Sequence, residues 1–220
     1  MATVGLPSAG KRYFSAKSTM FAVLGVMLLV TIFTRDLALL DPDSPLRQRY
    51  AAIPGWMLMH GIFGAIALFA APFQFSNRLR QRHLKLHRIT GRVYVACVAI
   101  SAPTSVVVAA KLGPPELFMA AVSQSLGWIV TTATAVYCIR MGNIQQHREW
   151  MIRSYPFAAV FLVVRAILPI PPIAALGVLG LIEVVWTSIV AAAFLPSFFL
   201  AWRGLLADRR KAKVKAVGVS

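Results

Sequence analysis

Three long stretches of this chain contain no charged residue, and this feature constrains its fold more than any other. They are Ile53–Phe75, Val93–Ala110 and Phe118–Ile139. At about 1.5 Å per helical residue, Ile53–Phe75 would be about 34 Å long, enough to cross the roughly 30 Å hydrocarbon core of a bilayer. Because that core offers the backbone no hydrogen-bond partner, a spanning segment must be a helix or part of a closed barrel. The alternation typical of barrel strands is absent, so the sequence predicts transmembrane helices.

The composition agrees with a membrane protein. Hydrophobic residues make up 58% of the chain and charged residues 14%, whereas soluble proteins have roughly 45–50% and 25%. These values exclude an ordinary soluble domain, and the 10% aromatic content excludes a disordered chain. The net charge of +16 is divided among segments between long apolar runs, which is not typical of a nucleic-acid-binding protein. We therefore expect lipid, and no nucleic acid, as a partner.

Six apolar runs predict six spans. The other three runs are Thr19–Thr34, Ser154–Pro169 and Ile173–Trp202. The first follows basic residues, as in a signal peptide, but no A-x-A cleavage pattern comes after it, so we expect the span to be retained. The fifth is short and contains Arg165, which leaves five spans as an alternative. The predicted organisation is an N-terminal segment 1–18, a six-span domain 19–203 and a flexible basic tail 204–220.

The distribution of Lys and Arg predicts the orientation of these spans. If both termini are cytoplasmic, the stretches on that side hold 18 of the 23 basic residues, four lie in outer loops, and Arg165 lies within a span. The cytoplasmic stretches are then 1–18, 76–92, 140–153 and 203–220. This asymmetry follows the positive-inside rule. The sequence thus predicts an all-α polytopic bundle with six spans and cytoplasmic termini, whose basic loops contact anionic lipid headgroups.

Two similar motifs introduce the third and fifth spans. His87-Arg88 is followed by Arg92-x-Tyr94, and His147-Arg148 is followed by Arg153-x-Tyr155. Both spans run from inside to outside, so the motifs form a weak internal repeat at similar depth. Arginine binds phosphates, carboxylates and haem propionates in bidentate fashion. The ligand-binding candidates are therefore His87, Arg88, Arg92, Tyr94, His147, Arg148, Arg153 and Tyr155. The alternative is that these residues are interfacial anchors, with arginines snorkelling and tyrosines at headgroup level.

Polar residues inside the spans form a second group of candidates. They are His60, Gln74, Arg165 and Glu183. Arg165 and Glu183 are the only full charges in the apolar interior, and each costs roughly 2.5–3.5 kcal/mol at a span centre on insertion scales. We therefore expect these two residues to pair, either as a link between adjacent helices or as part of a proton or ligand relay.

The motifs also resemble a known family. His60-Gly61 in the second span, Gln74 near its end, and the patterns HRxxGRxY at 87–94 and HRxWMxRSY at 147–155 are similar to bacterial predicted membrane proteins that share a domain of unknown function. The resemblance covers roughly residues 53–170 and includes an arginine at Arg165. It implies a multi-span fold in a bacterial inner membrane and no established activity. A looser similarity to haem-b proteins of the cytochrome b561 and ferric-reductase kind rests only on helices with histidines.

Three classes of function are compatible with these features. The first is a haem or redox protein in which His87 and His147 are the axial ligands of haem b. The second is a transporter or binder of an anionic or lipid-like small molecule. The third is a non-catalytic assembly factor or partner subunit. The chain lacks a phosphate-binding loop, a nucleophile elbow and paired carboxylates, which excludes ATPases and hydrolases. The leading hypothesis is an inner-membrane protein with a His/Arg ligand site at its cytoplasmic face.

Overall fold

The structure, a computed structural model, describes residues 16–33, 37, 40, 41 and 43–217, and this part of the chain is predominantly helical. The helices are α1 Ala16–Thr31, α2 Pro45–Arg49, α3 Pro54–Gln74, α4 Asn77–Arg82, α5 Leu84–Leu112, α6 Pro115–Arg140, α7 Ile144–Ile167, α8 Pro171–Ala174 and α9 Val178–Val217. The predicted all-α class is confirmed for these residues. The residues outside the described part are 1–15 of the predicted N-terminal segment, Thr34 at the end of the first predicted span, 35, 36, 38, 39 and 42 of the first outer loop, and 218–220 of the tail.

Five of the described helices are long and apolar enough to cross a bilayer. They are α3, α5, α6, α7 and the Val178–Arg209 part of α9. The first predicted span corresponds to α1, whose apolar part Phe21–Thr31 is shorter. A polytopic helical membrane bundle is therefore confirmed, whereas the count of six spans and the orientation of the termini stay predictions.

The helices extend well beyond the apolar runs. α5 begins at Leu84, before the run that starts at Val93, and α7 begins at Ile144, where the Asn143 carboxamide oxygen accepts the Gln146 N–H at 3.0 Å. α9 continues to Val217, so the basic tail is helical over most of its length, contrary to the expectation of a flexible segment. The physical reason is that Leu, Lys, Arg, Gln and Ala favour helix whether or not lipid surrounds them, and propagation from an existing helix is easy.

The bundle is organised around α5, α6 and α7. α3 packs against α5, α5 against α6, α6 against α7, and α7 against α9, while α1 makes fewer contacts with α7 and α3. Tyr94 and Ser154 are completely buried at the centre. On the outside of α9, Phe194 and Phe198 are exposed by 70% and 67%. Large apolar side chains on the outer surface suit a protein whose surroundings are hydrocarbon.

A polar contact joins α3 to α5 in the middle of the bundle. The His60 ring Nδ1 lies 3.0 Å from the Ser101 carbonyl oxygen, and the Ser101 hydroxyl donates to the His60 carbonyl oxygen at 3.0 Å. The absence of a side chain at Gly64 allows α3 and α5 to lie this close, since a Cβ at that position would lie 3.1 Å from the Ser101 hydroxyl oxygen. Small residues at such contacts are common in membrane bundles. His60, expected as a polar candidate inside a span, is thus a bonded residue of the α3–α5 contact.

Ser101→Ala is expected to lower the free energy of unfolding by about 1 kcal/mol, because it removes a hydrogen bond between two membrane helices. Ser105→Ala is the matched control, since the Ser105 hydroxyl donates only to the Ala102 carbonyl within α5. Unfolding in mixed detergent micelles with increasing denaturing detergent measures both variants. Equal stability of the two variants would contradict an interhelical role for Ser101.

Candidate functional site

The structure brings the two His-Arg motifs together at one end of the bundle. His87 lies in the first turn of α5 and His147 in the first turn of α7, and both are partly exposed. His87 interacts electrostatically with Arg80, His147, Arg148 and Arg88. We call these five residues the His–Arg cluster. Arg80 comes from α4, the short helix that connects α3 to α5, and was not among the predicted site residues.

The two histidines differ in their hydrogen bonding. His147 Nδ1 lies 2.8 Å from the Ala135 carbonyl oxygen on α6. Because a carbonyl oxygen only accepts, Nδ1 must carry the hydrogen, and Nε2 holds the lone pair when the ring is neutral. His87 Nδ1 is buried and has no hydrogen-bond partner within the described part of the chain. His147 is therefore oriented by the protein, whereas the buried Nδ1 of His87 has no partner that orients its ring among the described residues.

Positive charge dominates the cluster. Every electrostatic neighbour of His87 among the described residues is a base, and burial and the nearby Arg148 lower the pKa of Arg80. The neighbouring acid, Glu149, faces Arg153 at 3.9 Å instead. Like charges held together without a carboxylate repel one another, and the repulsion is relieved when an anion binds among them.

The other arginines of the motifs have different surroundings. Arg153 donates from Nε to the Ser197 hydroxyl at 3.2 Å and lies 4.9 Å from the centre of the Trp150 ring. It therefore links α7 to α9. Arg92 is exposed on α5. Neither is among the electrostatic neighbours of His87, so the cluster includes Arg88 and Arg148 but not the second arginine of either motif.

Tyr94 belongs to a closed circuit of hydrogen bonds that joins α5, α6 and α7. The Trp128 indole N–H donates to the Tyr94 hydroxyl at 3.0 Å, and that hydroxyl contacts the Ser154 hydroxyl at 2.8 Å. Ser154 contacts the Thr132 hydroxyl at 2.7 Å, and Thr132 donates to the Trp128 carbonyl oxygen at 2.7 Å. An indole N–H only donates and a carbonyl only accepts. The direction of every bond is therefore determined: Tyr94 donates to Ser154, and Ser154 donates to Thr132.

The burial of both tyrosines differs from the headgroup-level position of interfacial anchors. Tyr94 is 0% exposed and Tyr155 is 6% exposed. The Tyr155 hydroxyl is buried with no hydrogen-bond partner among the described residues. Sequence reasoning did not identify Trp128, Thr132 and Ser154 as members of a polar network. The sequence feature that could have indicated this network is the presence of polar side chains inside otherwise apolar runs.

The remaining in-span candidates are not among the electrostatic neighbours of His87. The Gln74 carboxamide donates to the Thr90 hydroxyl, and its oxygen would lie 3.2 Å from a Cβ at Gly91, which explains the glycine of the first motif. Arg165 and Glu183 lie on α7 and α9, which pack together. Glu183 is exposed on α9, and the pairing of these two residues stays a prediction.

The arrangement of histidine, cysteine and carboxylate side chains has different consequences for a metal ion and for haem b. In the residues that the structure describes, no three His, Cys, Asp or Glu side chains are grouped to hold a metal ion. A haem b would need only two axial histidines. The Ala135 carbonyl orients His147 as a metal ligand is usually oriented, whereas His87 lacks such a partner among those residues. Haem b between His87 and His147 stays an untested prediction.

Comparison with known proteins confirms the resemblance to a membrane protein family of unknown function and extends the range that it covers. A family described as predicted membrane proteins, DUF2306, matches residues 57–203. The match begins in α3, includes both His-Arg motifs and continues into α9 beyond residue 170, so it also covers Glu183. No curated protein and no solved structure matches the chain. Because the match spans more than half of the sequence, this chain belongs to the DUF2306 family of predicted membrane proteins, whose function is unknown.

Proposed function

We propose that this protein binds an anionic molecule at the His–Arg cluster, on the cytoplasmic side of a bacterial inner membrane. The ligand carries a phosphate or a carboxylate. The observation that carries the proposal is the set of charges around His87, all of which are basic among the described residues.

The chemistry of the cluster suits such a ligand. Arg80, Arg88 and Arg148 each offer a planar fork of N–H donors that matches a carboxylate or phosphate. A ring nitrogen of either histidine that carries a hydrogen can also donate to such a group. The six-span topology with cytoplasmic termini, part of this proposal, places the cluster where cytoplasmic metabolites and inner-leaflet headgroups meet.

Two roles are compatible with anion binding. As a transporter or binder, the protein would carry or hold the anionic or lipid-like molecule itself. As an assembly factor or partner subunit, it would use the cluster to contact an acidic group of another protein. Flux of a labelled anion into liposomes would show transport, whereas the second role predicts a protein that copurifies with this chain.

Binding is tested with the full chain in detergent, with inorganic phosphate as the probe. We expect phosphate to raise the Tm, followed by tryptophan fluorescence, by several degrees over chloride at equal ionic strength, since a ligand of the folded state stabilises it. The double variant Arg80→Gln/Arg148→Gln should lose this increase. Arg209→Gln is the matched control, because Arg209 is an exposed arginine of α9 outside the cluster. Retention of the full increase by the double variant, or no increase with phosphate, pyrophosphate or citrate, would overturn the proposal.

An optical spectrum separates anion binding from the haem hypothesis. Protein purified from cells supplied with haem precursor should show no Soret band if the cluster binds a simple anion. A Soret band that disappears in both His87→Ala and His147→Ala would replace the proposal with haem b ligation. A band that persists in both variants would place haem elsewhere, and the phosphate measurement would then still decide the role of the cluster.

A further inference from the structure

An open groove of about 440 Å³ lies where α4 meets α5. α4 ends at Arg82 and α5 begins at Leu84, and His83 between them has a non-helical backbone. The groove is lined by residues of this bend and of the first two turns of α5, which are Arg82, His83, Leu84, Lys85, Leu86 and Ile89. None of them belongs to the His–Arg cluster. Lys85 is two residues from His87, so these two side chains leave opposite sides of the helix, and the groove is a separate surface.

The charged part of the groove is basic. Arg82, His83 and Lys85 are exposed, so a ligand can reach all three. The chain has no Asp or Glu between Asp43 and Glu116, and therefore α3, α4 and α5 contain no acid. Glu116 lies in the first turn of α6, beside the opposite end of α5. Basic side chains without a neighbouring carboxylate attract an anion from outside the chain.

The remainder of the groove is apolar and equally open. Leu84, Leu86 and Ile89 are exposed by 46%, 48% and 47%. Leu86 and Ile89 share a face of α5 with Val93, which is exposed by 40% and begins the uncharged run of this helix. The apolar face therefore continues from the groove into the bilayer. A ligand that covers both parts must carry an anionic group and a hydrocarbon chain.

The position of the groove along α5 matches the layers of a membrane. Ile89 precedes the uncharged run Val93–Ala110 by one helical turn, about 6 Å, and Lys85 precedes it by about 12 Å. The apolar part of the groove thus lies at the edge of the hydrocarbon core and the basic part among the headgroups. This order, charge outside and hydrocarbon inside, is that of a phospholipid in the adjacent leaflet.

We propose that this groove binds an anionic phospholipid. Its headgroup phosphate contacts Arg82 and Lys85, and one acyl chain lies along Leu86, Ile89 and Val93. Lys and Arg attract anionic lipids at a membrane surface, and an arginine can donate two parallel hydrogen bonds to a phosphate. A zwitterionic lipid has the same phosphate, but its ammonium group is repelled by the basic side chains. The groove therefore selects a headgroup with net negative charge.

Photo-crosslinking of the full chain in nanodiscs tests this site. The nanodiscs consist of phosphatidylcholine with a small fraction of phosphatidylglycerol that carries a diazirine on its acyl chain. Peptide mapping should find crosslinks concentrated at residues 84–93, well above those at Phe194 and Phe198, which are exposed apolar residues of α9 outside the groove. The same diazirine on phosphatidylcholine should label the two regions about equally.

A double variant shows whether the basic side chains are responsible. Each Lys or Arg near an anionic lipid contributes about fivefold in affinity, so Arg82→Gln/Lys85→Gln should lower the affinity for phosphatidylglycerol about thirtyfold. Crosslinks at residues 84–93 should then fall to the level found with phosphatidylcholine, while unchanged α9 crosslinks report an intact bundle. Arg203→Gln/Arg209→Gln is the matched control, because it removes the same charge from exposed positions of α9.

Four results would overturn the proposal. The first is equal labelling of residues 84–93 by the two lipids, and the second is a preference for phosphatidylglycerol that persists in Arg82→Gln/Lys85→Gln. The third is loss of the preference in the control variant as well. The fourth is a copurifying protein that protects these residues from both lipids. Failure of phosphate to raise the Tm through the His–Arg cluster would leave this site unaffected, and Arg82→Gln/Lys85→Gln should keep the increase in Tm with phosphate.

Discussion

Tyr94→Phe is expected to lower the free energy of unfolding by about 1–3 kcal/mol, one of the two largest effects that the structure predicts for a conservative change. The variant keeps the ring but removes the hydroxyl that accepts from Trp128 and donates to Ser154. The Trp128 indole N–H then stays buried without an acceptor, and the circuit that holds α5, α6 and α7 together opens. Unfolding in mixed micelles of the purified variant measures the loss.

Two further variants show whether the loss of stability in Tyr94→Phe comes from the hydrogen-bond circuit. Tyr137→Phe, at an exposed tyrosine of α6, should leave stability unchanged. In the double variant Tyr94→Phe/Trp128→Phe the unpaired indole N–H is also absent, so the combined loss should be less than the sum of the two single losses. A Tyr94→Phe protein as stable as the wild type, or strictly additive losses, would contradict a coupled network.

Gly127→Ala is expected to destabilise the bundle by about 1–3 kcal/mol, through overpacking between α6 and α7. A Cβ at Gly127 would lie 2.6 Å from the Phe157 ring, closer than carbon atoms approach. Phe157 is 5% exposed, so its ring has little space to move. The same unfolding measurement detects the loss, and a lower yield of monodisperse protein should accompany it.

Gly61→Ala and a compensating substitution test this interpretation. A Cβ at Gly61 meets no atom within 4 Å, so that variant should have the stability of the wild type. Phe157→Leu removes the ring that the new Cβ would meet. In the Phe157→Leu background, Gly127→Ala should therefore cost clearly less than it does alone. If Gly127→Ala lowers the free energy of unfolding equally in both backgrounds, the loss comes from α6 itself and not from the contact with Phe157.

The comparison between sequence and structure is most informative at the two motifs. The repeated His-Arg pattern predicted that His87 and His147 lie at similar depth, and the structure places them within electrostatic range of each other. The pattern also grouped Tyr94 and Tyr155 with the histidines as ligand-binding candidates, and the structure shows that both tyrosines are buried. Tyr94 follows His87 by two helical turns, which places it on the same face but deeper in the bundle.

Local properties of the sequence determined the class of this protein. Uncharged runs of this length must form helices in lipid, because the backbone has no other source of hydrogen bonds there, and the structure has five such helices among its described residues. Membership of DUF2306 likewise rests on the linear sequence, through the match over residues 57–203. The sequence could also identify basic residues at the helix starts, but not which of them share a site.

Only the tertiary structure decided which side chains meet. The hydrogen-bond circuit of Tyr94 and the contact of Gly127 with Phe157 each join residues from different helices. Such contacts depend on the rotation and spacing of packed helices, and these depend on how the small and large side chains of all neighbours interlock. Apolar periodicity does not encode them, because in a lipid-embedded bundle both the inner and the outer faces of a helix are apolar.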